Sequence, residues 1–222
     1  MGISFVIVAL WWIGMSLPLV KKYEQKHYVQ KQPHAVRQSF VRLGSTFKNI
    51  RKEKHVFMFL LAFFFYIDGV YTIIDMATAY GSALGLDSTG LLLALLVTQI
   101  VAFPCAILFG HLSYKVSTEK LIAVCICAYF GIAIFAIFLR TQLQFWILAV
   151  LVGMFQGGIQ ALSRSYFTKI IPEECSGEYF GLMDICGKGA SFVGTTIVSI
   201  VSQITGNISI GVGMIAILFC IG

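Results

Sequence analysis

Seven chemistry-bearing side chains of this chain lie in otherwise apolar sequence: Asp68, Asp75, Gln99, Gln156, Gln160, Asp184 and Lys188. An ionisable group inside a membrane-length apolar run costs about 2.5–3.5 kcal/mol even on the gentler scales, so it faces a bundle interior or a water-filled path. Asp68 and Asp75 are seven apart. That is nearly two helical turns, which puts both carboxylates on one face, about 10 Å apart along the axis. Carboxylates in such a place can take up and release protons, because the ionised form is costly there. The simpler reading of Asp75 is a group near the outer surface that is merely wet. Gln156, Gln160 and Arg164 repeat every four residues and share one helix face. Their amides can hydrogen-bond a polar solute or, equally, a neighbouring helix, and Gln99 has the same two readings. Arg164, near the end of its run, reads as an anchor or gate. Asp184 and Lys188 are four apart with the acid first, the favourable order for an ion pair on one helix. Such a pair either holds two helices together or lines a path across the membrane.

Other chemistry finds no support. Ser163-Arg164-Ser165 has no base beside it, and His27, His34, His55 and His111 lie in or beside basic stretches or at a helix end. No catalytic residues, no cofactor and no metal are expected. Cys105, Cys125, Cys127, Cys175, Cys186 and Cys220 match no metal-binding spacing and read as small buried apolar residues.

The elements that must position these groups are membrane spans. The chain has 222 residues, 58% of them hydrophobic and 12% charged, against about 25% charged in a soluble domain. Apolar runs long enough for a helix to cross about 30 Å of hydrocarbon recur along it. The fold class is an all-α membrane protein, a polytopic helical bundle. The expected spans are 3–19, 56–81, 89–112, 120–139, 143–165 and 179–204, followed by a final apolar run, 208–222, which is short for a span and is expected to be truncated. Pro18 and the Lys21-Lys22 pair are expected to end the first. That run lacks a basic leader and a cleavage site, so it reads as a span and not a signal peptide. Gly153 and Gly157 form a small-residue pair that signals helix packing.

Net charge is +6, with ten Lys/Arg against Glu24 and Glu53 in residues 21–54. A basic cluster beside a span marks a cytoplasmic loop, with anionic lipid and not nucleic acid as its partner. Within it Val36, Phe40, Leu43, Phe47 and Ile50 recur at steps of three and four among Arg37, Arg42, Lys48, Arg51 and Lys52. The pattern predicts a basic amphipathic helix on the membrane surface. Placing loops 21–54, 113–119 and 164–178, with Lys120 at an edge, in the cytoplasm leaves Arg140 the one basic residue of the opposite loops. The N-terminus is therefore expected outside. Asn207-Ile208-Ser209 spells a glycosylation sequon too close to the membrane to carry weight.

One span, a long basic loop and six further spans with short loops resemble the second half of a major facilitator transporter with the last helix of the first half attached. The loop GHLSYKVSTEK resembles that superfamily's short motif, which Gly110, Leu112, Lys115 and Lys120 match. Tyr114 stands where the motif has Asp and Ser117 where it has Gly, so this loop lacks two of the motif's usual residues and the family's gating salt bridge is left open here. FYIDGVYTI (65–73), QGGIQALSRSYFTKIIP (156–172) and EYFGLMDICGKGASFVG (178–194) resemble the vacuole-effluxer-like branch, also called the unknown major facilitator family. Its fungal members export amino acids from the vacuole, and its bacterial members are inner-membrane permeases. The resemblance implies a secondary active permease moving a small solute, amino acids among the candidates, by alternating access with proton coupling. It implies residues 1–20 as the last helix of an N-terminal half, 21–54 as the cytoplasmic loop and 55–222 as a six-helix C-terminal half. The N-terminal half, in the same or a separate chain, is then an expected partner, and the sequence reads as a fragment, a split gene or a misplaced start. A scaffold that does not transport and binds a partner through its basic loop is the alternative.

Overall fold

A computed structural model of the chain describes residues 2–24, 41, 44–48, 50–51 and 53–222. It divides into two compact units, 1–39 and 40–222. In the first, α1 spans Gly2–Lys22 and runs through Pro18. The helix ends at the expected Lys21-Lys22 pair, and only the expected stop at Pro18 is corrected. A proline removes one backbone donor, and apolar membrane helices tolerate it where the freed carbonyl is satisfied again locally.

The second unit is a helical bundle: α2 (Lys54–Ala83), α3 (Ser88–Leu112), α4 (Thr118–Ile137), α5 (Gln142–Ile170), α6 (Ser176–Thr205), α7 (Ile208–Gly213) and α8 (Ile215–Ile221), with a 3-10 turn at Glu173–Cys175. Among the described residues, six helices, α1 to α6, are long and apolar enough to cross a membrane. Local chemistry sets their ends. Asp87 caps α3 by accepting from the Gly90 N–H at 2.7 Å, and Thr141 and Gln144 form a reciprocal capping box on α5. α6 stops at Gly206, whose φ of 65° lies in the left-handed region that glycine adopts without strain. Asn207 then caps α7 through the Ser209 N–H. α5 continues five residues beyond the expected 165, because Phe167 is buried and Lys169 donates to Thr118 Oγ1 at 3.0 Å. The run 208–222 is broken at Met214 into α7 and α8.

Helix packing follows the small residues. α5 lies along α3 with Gly153 against the Thr98 carbonyl and Gly157 against Ala102 and Ala106. α2 sits centrally. Tyr66 shares a 2.7 Å hydrogen bond with Ser163 of α5, and Tyr80 donates to the Ala136 carbonyl of α4 and meets Ser209 of α7. These buried hydroxyls fix helix pairs by satisfying polar groups that lipid would leave bare.

Of the predicted surface helix, Val36, Phe40 and Leu43 lie outside the described residues, as do Arg37, Arg42 and Lys52. Residues 44–48 are helical. Ile50 is buried in the bundle core, and Thr46 donates to Glu178 at 2.6 Å. In this part the apolar face at Ile50 therefore turns to protein and not to lipid, a correction to the surface-helix expectation. Phe47 remains exposed, with the Arg51 guanidinium 5.1 Å above its ring. The cysteines are all free, but only Cys125 is fully buried, while Cys127, Cys175 and Cys220 are exposed. An exposed cysteine on an apolar helix satisfies the same hydropathy pattern as a buried one, which is why sequence could not separate them.

Candidate functional site

Hydrogen bonds Thr46–Glu178, Tyr179–Glu53 and Lys169–Thr118 mark one end of the bundle, and Tyr80 with Ala136 and Ser209 marks the other. At a rise of 1.5 Å per residue, Arg164 stands about 9 Å from the first end of its helix, Asp184 about 12 Å, Lys188 about 18 Å, Asp68 about 21 Å and Asp75 about 32 Å.

Asp68 and Asp75 both reach α6, as their shared face requires. Asp68 is fully buried. Its Oδ1 accepts from the Gly194 N–H at 2.8 Å and from Thr72 at 3.3 Å, while Oδ2 has no partner. The contact exists because residue 194 is glycine: a Cβ there would overlap Thr72 Oγ1 and the Asp68 carboxylate. Asp75 is exposed and accepts from Ser191 Oγ at 2.9 Å. One carboxylate is thus sealed between two helices and the other is open.

Beside them α2, α5 and α6 border a small, partly open groove of about 70 Å³. Phe63, Ile67 and Met183 form its apolar wall, and Tyr71, Gln160, Arg164, Asp184 and Lys188 its polar one. Asp184 Oδ1 accepts from Arg164 Nη2 at 3.3 Å. This corrects the expected Asp184–Lys188 pair: among the described residues Asp184 bonds across to α5, and no ion pair joins it to Lys188. An i,i+4 pair contributes only about 0.2–0.5 kcal/mol. A guanidinium at nearly the same depth offers Asp184 a forked donor instead. Both members are more than half exposed, 62% and 55%, so the pair sits on an open wall.

Gln156 and Gln99 belong to a second groove, between α2, α3 and α5, lined otherwise by apolar side chains and Thr98. Gln156 Oε1 is buried without a partner, whereas Gln99 is exposed. The structure therefore divides the predicted polar set. Gln160, Arg164, Asp184 and Lys188 come together, Gln99 and Gln156 form a separate group, and Asp68 is shut away. Gly110, Lys115 and Lys120 of the loop motif lie exposed around the α3–α4 turn and join neither groove.

Sequence reading missed Tyr71, Thr72, Ser191 and Gly194. Thr72 follows Asp68 by four, and Gly194 follows Gly187 by seven, so both signals were present at helical spacing. Neither residue is ionisable, and only packing reveals a threonine or glycine as a carboxylate's neighbour.

Comparison with known proteins places this arrangement in context. The whole chain, residues 1–222, matches the model of a family described as vacuole effluxer Atg22 like. It is similar to a Bacillus subtilis protein named "Uncharacterized MFS-type transporter YxiO", 48% identical over 220 residues, or 99% of this chain and 51% of that one. It is also similar to Autophagy-related protein 22 of Saccharomyces cerevisiae, 30% identical over 181 residues covering 76% of this chain and 34% of the yeast protein. The protein of the same name from Cryptococcus neoformans var. neoformans serotype D is 25% identical over 233 residues, 95% of this chain and 41% of its own length. The chain thus spans between a third and a half of the length of these relatives.

Proposed function

The chain belongs to the vacuole effluxer Atg22-like family, and from that premise we propose that it is the C-terminal half of a secondary active transporter that moves a small polar solute by alternating access. It is an integral, multi-pass membrane protein of helical type. The groove between α2, α5 and α6 carries the reading: it gathers Gln160, Arg164, Asp184 and Lys188 around one open space, about 9 to 18 Å from one end of the bundle. Charged groups at such depth are costly unless they face a water-filled path or a partner. Transporters of two pseudo-symmetric halves bind solute near the midplane, between the halves. Gln99 and Gln156 extend the polar lining along α3 and α5. Gly110, Lys115 and Lys120, with Arg164 nearby in depth, belong to the end that opens and closes. Amino acids, the solute class that the resemblance drawn from the sequence motifs implies, are the first to assay.

Proton coupling is assigned to Asp68. A buried carboxyl with one unpartnered oxygen can hold a proton, and its contacts to Thr72 and Gly194 tie its charge state to the distance between α2 and α6. Asp75, already open and bonded to Ser191, plays the lesser part. The test is uptake of radiolabelled amino acids into proteoliposomes under an imposed pH gradient, with the chain co-produced with an N-terminal half. Asp68→Asn is expected to abolish the response to the gradient and Asp75→Asn to preserve most of it. Unchanged coupling in Asp68→Asn removes that residue from the mechanism, and absence of gradient-dependent or downhill uptake for any solute tried overturns the transporter reading.

A further inference from the structure

The groove between α2, α5 and α6 is unevenly charged, with two cations and one carboxylate on its wall. Arg164 spends its charge on Asp184. Lys188 makes no ion pair or hydrogen bond among the described residues, and it stands one turn past Asp184, about 18 Å into α6. Its surroundings are specific. Tyr71 and Gln160 supply a hydroxyl and an amide, while Phe63, Ile67 and Met183 supply an apolar wall. A Cβ added at Gly187, beside the lysine, would make ordinary van der Waals contact with the Phe63 and Tyr71 rings at 3.6–3.7 Å, so both rings border α6 at this level. Lys188 is exposed on the open side of the groove, and a cation at that depth in a span marks a solute or ion path.

Resting on the transporter reading, we infer that Lys188 is the residue that recognises the solute, taking a single carboxylate group, while Arg164 holds Asp184. One uncompensated positive charge matches one carboxylate. A phosphate carries more charge and more acceptor oxygens than one ammonium satisfies. Tyr71 and Gln160 donate to the second carboxylate oxygen, and the apolar wall takes a short aliphatic remainder. The class is a small carboxylate with an apolar end.

The experiment is amine-directed acylation of the full chain in lipid nanodiscs, alone and with an N-terminal half, quantified for each lysine by mass spectrometry. Butyrate and 2-aminobutyrate are the probes, with butyramide, 2-aminobutyramide and inorganic phosphate as comparators. At millimolar concentration either carboxylate should slow acylation of Lys188 several-fold, while Lys115 and Lys120 react unchanged. The amides and phosphate should not protect. Equal protection by the amides, better protection by phosphate, no protection by either carboxylate, or a Lys188 that is unreactive from the start would each overturn the inference. Because binding is read without transport, the two readings fail separately. Protection without uptake leaves the site standing and removes the transporter; uptake without carboxylate-specific protection does the reverse.

Discussion

Arg164 and Asp184 show how a magnitude decides what an ion pair is for. A buried pair that loses one member leaves a stranded charge and costs about 3–5 kcal/mol. This pair is 62% and 55% exposed, and pairs in that state contribute about 0–1 kcal/mol in double-mutant cycles. Asp184→Asn is therefore expected to keep its membrane abundance within a small factor while changing transport, and Arg164→Gln to behave alike. Immunoblots of membrane fractions beside uptake rates separate the two effects. A collapse in abundance with either substitution would mean that the pair is enclosed in the working protein and is structural. Asp68 is the opposite case. Its contacts depend on Gly194, and no reading of charge spacing predicts that a glycine on another helix supplies the bond.

At the scale of elements, glycine position sorts contact from freedom. On α5, a Cβ at Gly153 would stand 2.6 Å from the Thr98 carbonyl, and one at Gly157 would stand 2.8 Å from the Ala106 Cβ. These neighbours are backbone or nearly so and cannot swing away, so Gly153→Ala should destabilise the α3–α5 contact by about 1–3 kcal/mol, the usual cost of overpacking. Gly131, inside α4, has nothing within 4 Å of its added Cβ. Gly131→Ala should therefore be neutral or stabilising by up to about 1 kcal/mol through helix propensity alone. Thermal unfolding in detergent compares them directly, and equal stability of the two variants would refute the close approach of α3 and α5. The expected helices at 89–112 and 120–139 and the observed α3 and α4 agree to within two residues, and the start of α3 is written locally in Asp87, whose side chain accepts from the Gly90 N–H.

At the scale of the whole molecule, orientation is an expectation from the basic residues, which resist translocation across the membrane. Reporter fusions after Tyr114 and after Glu174 are expected to report the cytoplasm and a fusion after Leu86 the opposite side, and inversion at any two of these positions would overturn that topology. The sequence by itself determined the helical class, the number of long apolar elements, the face shared by Asp68 and Asp75 and the small-residue pair on α5. All of these depend on near neighbours: hydropathy over a window, a period of 3.6, a cap at a helix end. Only the tertiary structure decided which partner each polar group takes. Asp184 had a candidate four residues away in Lys188, yet Arg164 on α5 holds it. Asp68 and Asp75 look alike in sequence, yet one is sealed against Gly194 and the other lies open beside Ser191. A pairing across helices depends on how they cross and how deep each side chain sits, and neither is encoded within one helix.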